Sequence, residues 1–173
     1  LIVAFRFFLF YSAPMPTLAD QKKNLLDRWR KEGADEMLLK AFAKVPREAF
    51  LPPELKDSAY IDQPFSIGHG QTISQPTTIM IMLDLLALQN GMNVLEIGAG
   101  SGYVCALLSE LCCTVTGIEI VPELAVLAAK NLEKLGYGDN VAMHASDGGT
   151  GWEERAPYDR ILVSAAFPDV PTH

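Results

Sequence analysis

Apolar and polar positions along the chain fall into three regimes. Residues 1–14, LIVAFRFFLFYSAP, are almost wholly apolar, and the pattern changes abruptly at Met15. The apolar run from Leu1 to Tyr11 is shorter than the roughly 20 residues a bilayer span needs. It also lacks an initiating Met and a clear small-x-small cleavage site. We expect it to be a non-native read-through upstream of a true start at Met15, the alternative being the remnant of a signal-like apolar segment.

From Leu18 to about Glu32 the apolar residues Leu18, Leu25, Leu26 and Trp29 recur near helical spacing. Gly33 suits the position after a helix end. Asp35 can cap a second helix carrying Met37, Leu38, Phe42 and Val45 on one side. The prolines of VPREAFLPPEL, residues 45–55, exclude regular structure there. Tyr60 to Pro76 then mixes Gly68 and Gly70 with hydroxyl and amide side chains and little charge, and it reads as a loop. Ser74 and Pro76 mark the next helix start, with the Ser74 hydroxyl as cap and Pro76 in the first turn. The helix continues as TTIMIMLDLLAL, apolar nearly all round, which predicts burial.

After the turn dipeptide Asn90-Gly91 the pattern alternates. Strands are predicted at 93–97, 114–120, 141–145 and 160–164, with helices at about 101–111 and at 122–135, the latter ended by Gly136. Alternating strands and helices with short connections predict an α/β domain, a parallel sheet covered on both faces in the Rossmann-like manner. Residues 15–173 read as one domain, with 15–76 a helical and loop region and 77–173 the α/β core. Ligands of such sheets sit at the carboxyl ends of the strands. Gly98–Gly102, Glu119 and Asp147 all fall at such ends.

Composition narrows the chemistry. With 49% apolar and 20% charged residues the chain is ordinary globular material. A net charge of −7 repels phosphate backbones, so no nucleic-acid partner is expected. Cys105, Cys112 and Cys113 show no metal-ligand spacing and make a poor disulfide framework. We expect buried thiols in a reducing, cytoplasmic setting, no metal and no stable membrane association.

The glycine loop carries the sharper signal. A dinucleotide fingerprint wants a glycine three residues after Gly100, where Tyr103 stands. The order found is instead Glu96-x-Gly98-x-Gly100-Ser101-Gly102, a tight turn with a carboxylate at its entrance. That carboxylate suits a cationic group better than a pyrophosphate. Glu119 can accept both hydroxyls of a ribose, and Asp147 an exocyclic amine. Ammonium, ribose diol and adenine together describe S-adenosylmethionine. Each acid has a plainer reading: Glu96 as a solvated strand residue, Glu119 as an ordinary strand end, Asp147 as a turn residue before Gly148-Gly149. Their placement at successive strand ends favours the cofactor.

Three segments, Ile67-Gly-His-Gly-Gln-Thr-Ile-Ser-Gln-Pro76, Val94-Leu-Glu-Ile-Gly-Ala-Gly-Ser-Gly-Tyr103 and Ala156-Pro-Tyr-Asp-Arg-Ile-Leu-Val-Ser-Ala-Ala166, closely resemble the protein-L-isoaspartate O-methyltransferases. Val45-Pro-Arg-Glu-Ala-Phe50 and Tyr60-Ile-Asp-Gln-Pro64 resemble that family's lead-in. The glycine loop is common to class I methyltransferases, whereas GQTISQP is diagnostic. The resemblance implies a class I methyltransferase sheet and S-adenosylmethionine as cofactor, with S-adenosylhomocysteine as its product. It implies methyl transfer to the α-carboxylate of L-isoaspartyl residues in damaged proteins. By the same resemblance Ser74 is the active-site serine, and Gln71, Thr72 and Ile73 belong to the loop closing over the cofactor. Glu96, Gly98, Gly100, Ser101 and Gly102 hold its methionine side, Glu119 its ribose, and Asp147 with Gly148 its adenine. His69, His144 and His173 form no triad pattern with Ser74, which suits an orienting donor rather than a nucleophile.

The family continues beyond the fourth strand, so the resemblance implies that the last strands of the fold are missing here and that the fourth strand is left as an edge. The alternatives are an inactive S-adenosylmethionine-binding fragment or another class I methyltransferase. A monomer is expected.

Overall fold

The computed structural model describes residues 16–166 apart from Cys112. The expectations for residues 1–14, Cys112 and His173 therefore lie outside the described residues.

Two helices lead. α1 (Leu18–Lys31) begins with a capping box in which the Thr17 hydroxyl accepts from the Asp20 amide, and Asp20 reaches back to the Thr17 N–H. It ends before Gly33, whose φ of +89° is the left-handed conformation that a helix exit favours. α2 (Glu36–Lys44) is capped by Asp35 as the sequence predicts. Its buried face is Leu38, Leu39, Ala41 and Phe42; Met37 is 45% exposed, contrary to expectation, and Val45 lies beyond the helix end. The proline-rich stretch is not wholly irregular. It forms two short 3-10 helices, Arg47–Phe50 and Pro53–Ser58, whose starts tolerate the missing proline N–H groups.

A β-hairpin replaces the predicted loop: β1 (Phe65–Gly68) pairs antiparallel with β2 (Gln71–Ile73). Its tip, His69-Gly70, has positive φ at both residues, 52° and 71°, as a two-residue primed turn requires. α3 (Pro76–Leu85) follows. Ile79, Met80 and Leu83 are buried, while Ile81 and Leu85 are exposed, so the helix is one-sided rather than buried all round.

The core comprises β3 (Asn93–Ile97), α4 (Tyr103–Glu110), β4 (Thr114–Glu119), α5 (Pro122–Lys134), β5 (Val141–Ala145) and β6 (Arg160–Val163). These four strands form one parallel sheet in the order β5-β4-β3-β6. Successive residues of β3 face opposite sides: Val94 joins the main core, whereas Leu95 and Ile97 join Ile118 beneath Trp152 and Tyr158. Among the described residues β6 is an edge strand with Ile161 and Val163 exposed. The main core is continuous with the N-terminal helices through aromatic edges, Trp29–Phe42 at 5.0 Å and Phe50–Tyr103 at 5.4 Å between ring centroids. Tyr103 opens α4, so the leading helices pack on the element that carries the glycine loop.

Candidate active site

The sheet and the hairpin meet at the glycine loop. β3 runs straight into Gly98, Gly100 and Gly102, all with positive φ. A Cβ on Gly98 would stand 2.8 Å from the Cβ of Ala165, so only glycine lets the loop pass the end of β6. Gly102 has a different task. A Cβ there would meet Ala128 and Leu132 at 3.2 Å, so its bareness brings α4 and α5 together.

The loop is clamped to β4. Gly98 and Ala99 donate to the Ile118 carbonyl at 2.8 and 3.0 Å. Glu119, 4% exposed, accepts from the Gly100 amide through Oε2 at 2.8 Å and from the Val121 amide through Oε1 at 2.9 Å. Asn131 of α5 donates to the Ser101 carbonyl at 3.1 Å. The Ser101 hydroxyl is buried and has no hydrogen-bond partner among the described residues. A donor left so at a cavity wall awaits an acceptor.

Two cavities flank Gly98. The smaller, about 30 Å³, lies between the hairpin side (Ile67, Thr72, Ile73, Ser74) and the loop (Gly98–Ser101), with Glu96, Tyr103, Val104 and Ser164 completing its wall. The larger, about 390 Å³, is lined by Ile97, Ile118, Ile120, Asp147, Gly148 and Ala166 among others. One end is thus small and acidic, the other wide and mostly apolar.

Glu96 is the acid of the small end. It is 1% exposed, not solvated. Its Oε2 accepts from the Cys105 thiol at 2.8 Å and its Oε1 from the Ser164 hydroxyl at 3.1 Å. Burial pushes its carboxyl up to about 7; the Cys105 and Ser164 donors hold it down, and the Glu119 charge pushes further up. Burial also raises the Cys105 thiol, with Glu96 reinforcing it, so the thiol stays a donor. A cation placed in this cavity would favour the ionised acid.

Ser74 lines the same cavity but does not cap α3. Gln75 takes the cap position without a side-chain bond, and Asp62 supplies the acceptor instead, through Oδ1 to the Thr77 amide at 2.9 Å. The Thr77 hydroxyl donates to Asp62 Oδ2 at 2.6 Å and accepts from Trp29 Nε1 at 2.9 Å, tying the helix start to α1. The Ser74 carbonyl accepts from Arg47 Nη2 at 2.8 Å. His69 is exposed at the hairpin tip, and His144 stacks on Trp152 with centroids 4.2 Å apart, so neither serves Ser74.

Of the predicted residues, Thr72, Ile73, Ser74, Glu96, Gly98, Gly100 and Ser101 share the small cavity. Asp147 and Gly148 share the larger one. Asp147 also keeps its turn role, Oδ1 accepting from the Gly149 amide at 2.9 Å, and a Cβ on Gly148 would collide with Ile97. Gln71 stands exposed on β2 and Glu119 is buried, both outside the two cavity walls, and Gly102 serves packing. Ser164, Cys105 and Tyr103 are not among the site residues expected from the sequence, which marks Cys105 only as a buried thiol and Tyr103 only as the residue in place of a third glycine. Ser164 follows the fourth strand, and the strand-end rule that found Glu119 would have found it too. Among the described residues no group of three or more His, Cys, Asp or Glu side chains is placed to hold a metal ion.

A family model described as Protein-L-isoaspartate(D-aspartate) O-methyltransferase matches residues 20–173. A Protein-L-isoaspartate O-methyltransferase of Hyperthermus butylicus is 44% identical over 164 residues, covering 88% of this chain and 68% of that protein. Two further relatives of that kind are covered over 56% and 72% of their lengths, so the chain spans only part of the proteins it matches. A solved protein-L-isoaspartate O-methyltransferase superposes with a TM-score of 0.78 at 32% identity, over 87% of this chain and 50% of that one. A putative protein-L-isoaspartate O-methyltransferase from Plasmodium falciparum, in complex with S-adenosyl-L-homocysteine, gives 0.73 at 25% identity, over 87% and 76%.

Proposed function

Because the chain belongs to the protein-L-isoaspartate O-methyltransferase family, matched over residues 20–173, we propose that it moves the methyl group of S-adenosylmethionine to the α-carboxylate of L-isoaspartyl residues in damaged proteins. The observation that carries this reading is the shared small cavity, where Ser74 faces the glycine loop and the buried Glu96.

The donor set fits the cofactor. Glu96 is a buried acid for an ammonium group, and the unpartnered Ser101 hydroxyl is a ready donor for the adjoining carboxylate. Each Glu119 oxygen accepts one backbone N–H and retains a lone pair for a ribose hydroxyl. Asp147, with Gly148 bare beside it, borders the wide cavity suited to a flat base. S-adenosylmethionine, when bound, supplies an electrophilic methyl on a sulfonium centre.

The remaining work falls to the protein. The substrate carboxylate is ionised at neutral pH, so no general base is needed. Ser74 orients it by donating a hydrogen bond, and alignment with exclusion of water does the rest. Thr72 and Ile73 form the hairpin wall that shuts out water, with Gln71 at its outer side. The following backbone amide nitrogen then attacks the ester carbonyl, expelling methanol and closing a succinimide, which water opens partly to normal aspartate. We place the reaction in the cytoplasm, a reading supported by the buried, reduced thiol of Cys105. No helix among the described residues is long and apolar enough to cross a membrane.

The product decides the reading. Label from methyl-tritiated S-adenosylmethionine must enter peptide as a carboxyl ester, released as methanol by mild alkali; base-stable label would contradict it. Ser74→Ala should lower kcat by about 100-fold while S-adenosylhomocysteine affinity stays within about twofold. Rate and affinity falling together would contradict the orienting role.

A further inference from the structure

Arg47 opens the first 3-10 helix and is completely buried, at 0% exposure. Among the described residues it forms no ion pair. Its Nε donates to the Ala59 carbonyl and its Nη2 to the Ser74 carbonyl, both at 2.8 Å. Its backbone N–H donates to the Tyr60 hydroxyl at 3.2 Å, and that hydroxyl donates to Glu48 Oε2 at 2.7 Å. Its guanidinium carbon stands 5.1 Å from the centroid of the Tyr103 ring, in the first residue of α4. Nη1 is sealed from solvent and has no hydrogen-bond partner among the described residues.

A buried charge without a counter-ion and a buried donor without an acceptor both oppose folding. An apolar side chain of similar length would fill the space with neither penalty. What it could not do is hold two carbonyls from separate segments while lying on the ring that begins α4, a task suited to a planar, multi-donor fork. One of those carbonyls belongs to Ser74, and the ring adjoins the glycine loop.

We infer that Arg47 is a positioning residue, which fixes the Ser74 segment against the helix that carries the glycine loop. Its effect on rate rests on the methyl transfer proposed above; its hold on Ser74 does not. It touches neither substrate nor cofactor and acts only through the Ser74 main chain. Asp62 fixes the start of α3 at the Thr77 amide, so the Ser74 segment has a second anchor three residues on.

The test uses the full chain with Arg47→Met, and two readouts. Hydrogen exchange of amides 71–75 should quicken about tenfold or more with the β3 and β4 amides unchanged; unchanged exchange at 71–75 overturns the inference. kcat should fall about 10- to 100-fold, the scale of a small misplacement, with S-adenosylhomocysteine affinity within about twofold. A fall in both together, or an unchanged kcat, overturns it. If Arg47→Met loses β3 protection and so does not fold, Arg47→Lys serves instead. It keeps the charge but offers a single compact donor group, so the same loosening and loss of rate are expected, and full rescue by lysine overturns the inference. If the unaltered chain transfers no methyl group, the functional reading fails by itself, while the exchange readout still decides whether Arg47 holds Ser74.

Discussion

Glu96 has left water entirely, and its protonation ties stability to pH. Its carboxyl is raised from 4.5 to about 7 in the folded chain, so the folded state holds the proton more tightly than the unfolded one. The stability this contributes is complete below pH 4.5 and is lost as pH rises through 7. Glu96→Gln keeps the shape and an acceptor but cannot ionise. Between pH 5 and pH 8 the unaltered chain should therefore lose roughly 2.5 kcal/mol relative to the glutamine variant, since each tenfold difference in proton affinity is worth about 1.4 kcal/mol. Urea unfolding of both at the two pH values measures the difference, and parallel pH profiles would contradict the buried-acid account. Glu96 also shows what a sequence hides at this scale. Its position at the loop entrance was legible, but its burial was not, because the partners that make burial tolerable, Cys105 and Ser164, lie on a following helix and a distant strand end. Arg47 was illegible for the same reason: nothing within the VPREAF stretch says that a charged side chain will turn inward to meet carbonyls 12 and 27 residues away.

Elements position the loop, and Glu119 is the joint between two of them. Each of its oxygens accepts from one backbone amide, one in the glycine loop and one at the start of α5. Glu119→Ala strands both donors, which should cost about 2–3 kcal/mol of stability by urea unfolding and weaken S-adenosylhomocysteine binding about tenfold or more by calorimetry. Unchanged affinity in a folded variant would contradict its place in the site. β3 to β6 and the helices between them were readable almost to the residue. Short runs of β-branched and apolar residues bounded by Asn-Gly and glycine turns leave little ambiguity. The β1–β2 hairpin was not readable. Its strands are four and three residues long, so the alternation of Phe65-Ser66-Ile67-Gly68 and the β-branched Thr72 and Ile73 run too briefly, beside glycines, to stand out from a loop. The start of α3 misled for a related reason. Ser74 and Pro76 make a good local cap signature, yet Asp62, remote in sequence, takes the role. Freed from capping, Ser74 faces the cavity.

Over the whole molecule, the N-terminal helices, the hairpin and the parallel sheet converge on one cleft. The aromatic edges from Trp29 through Phe42 to Tyr103 join the leading helices to α4, and the hairpin closes over the loop that α4 begins from. The fold and its ligand end were visible in the sequence because parallel sheets gather their sites at strand ends. The convergence of Ser74, Glu96 and Ser164 on one small cavity was not, since it depends on tertiary packing of segments up to 90 residues apart. The chain spans half to about three quarters of the length of the solved relatives compared. The most direct measurement is transfer of labelled methyl from S-adenosylmethionine to a synthetic peptide containing one L-isoaspartyl residue, with the L-aspartyl peptide of the same sequence in parallel. The account predicts label on the isoaspartyl peptide and background on its twin. Equal labelling of the two peptides, or none on either from a chain that binds S-adenosylhomocysteine, would contradict it.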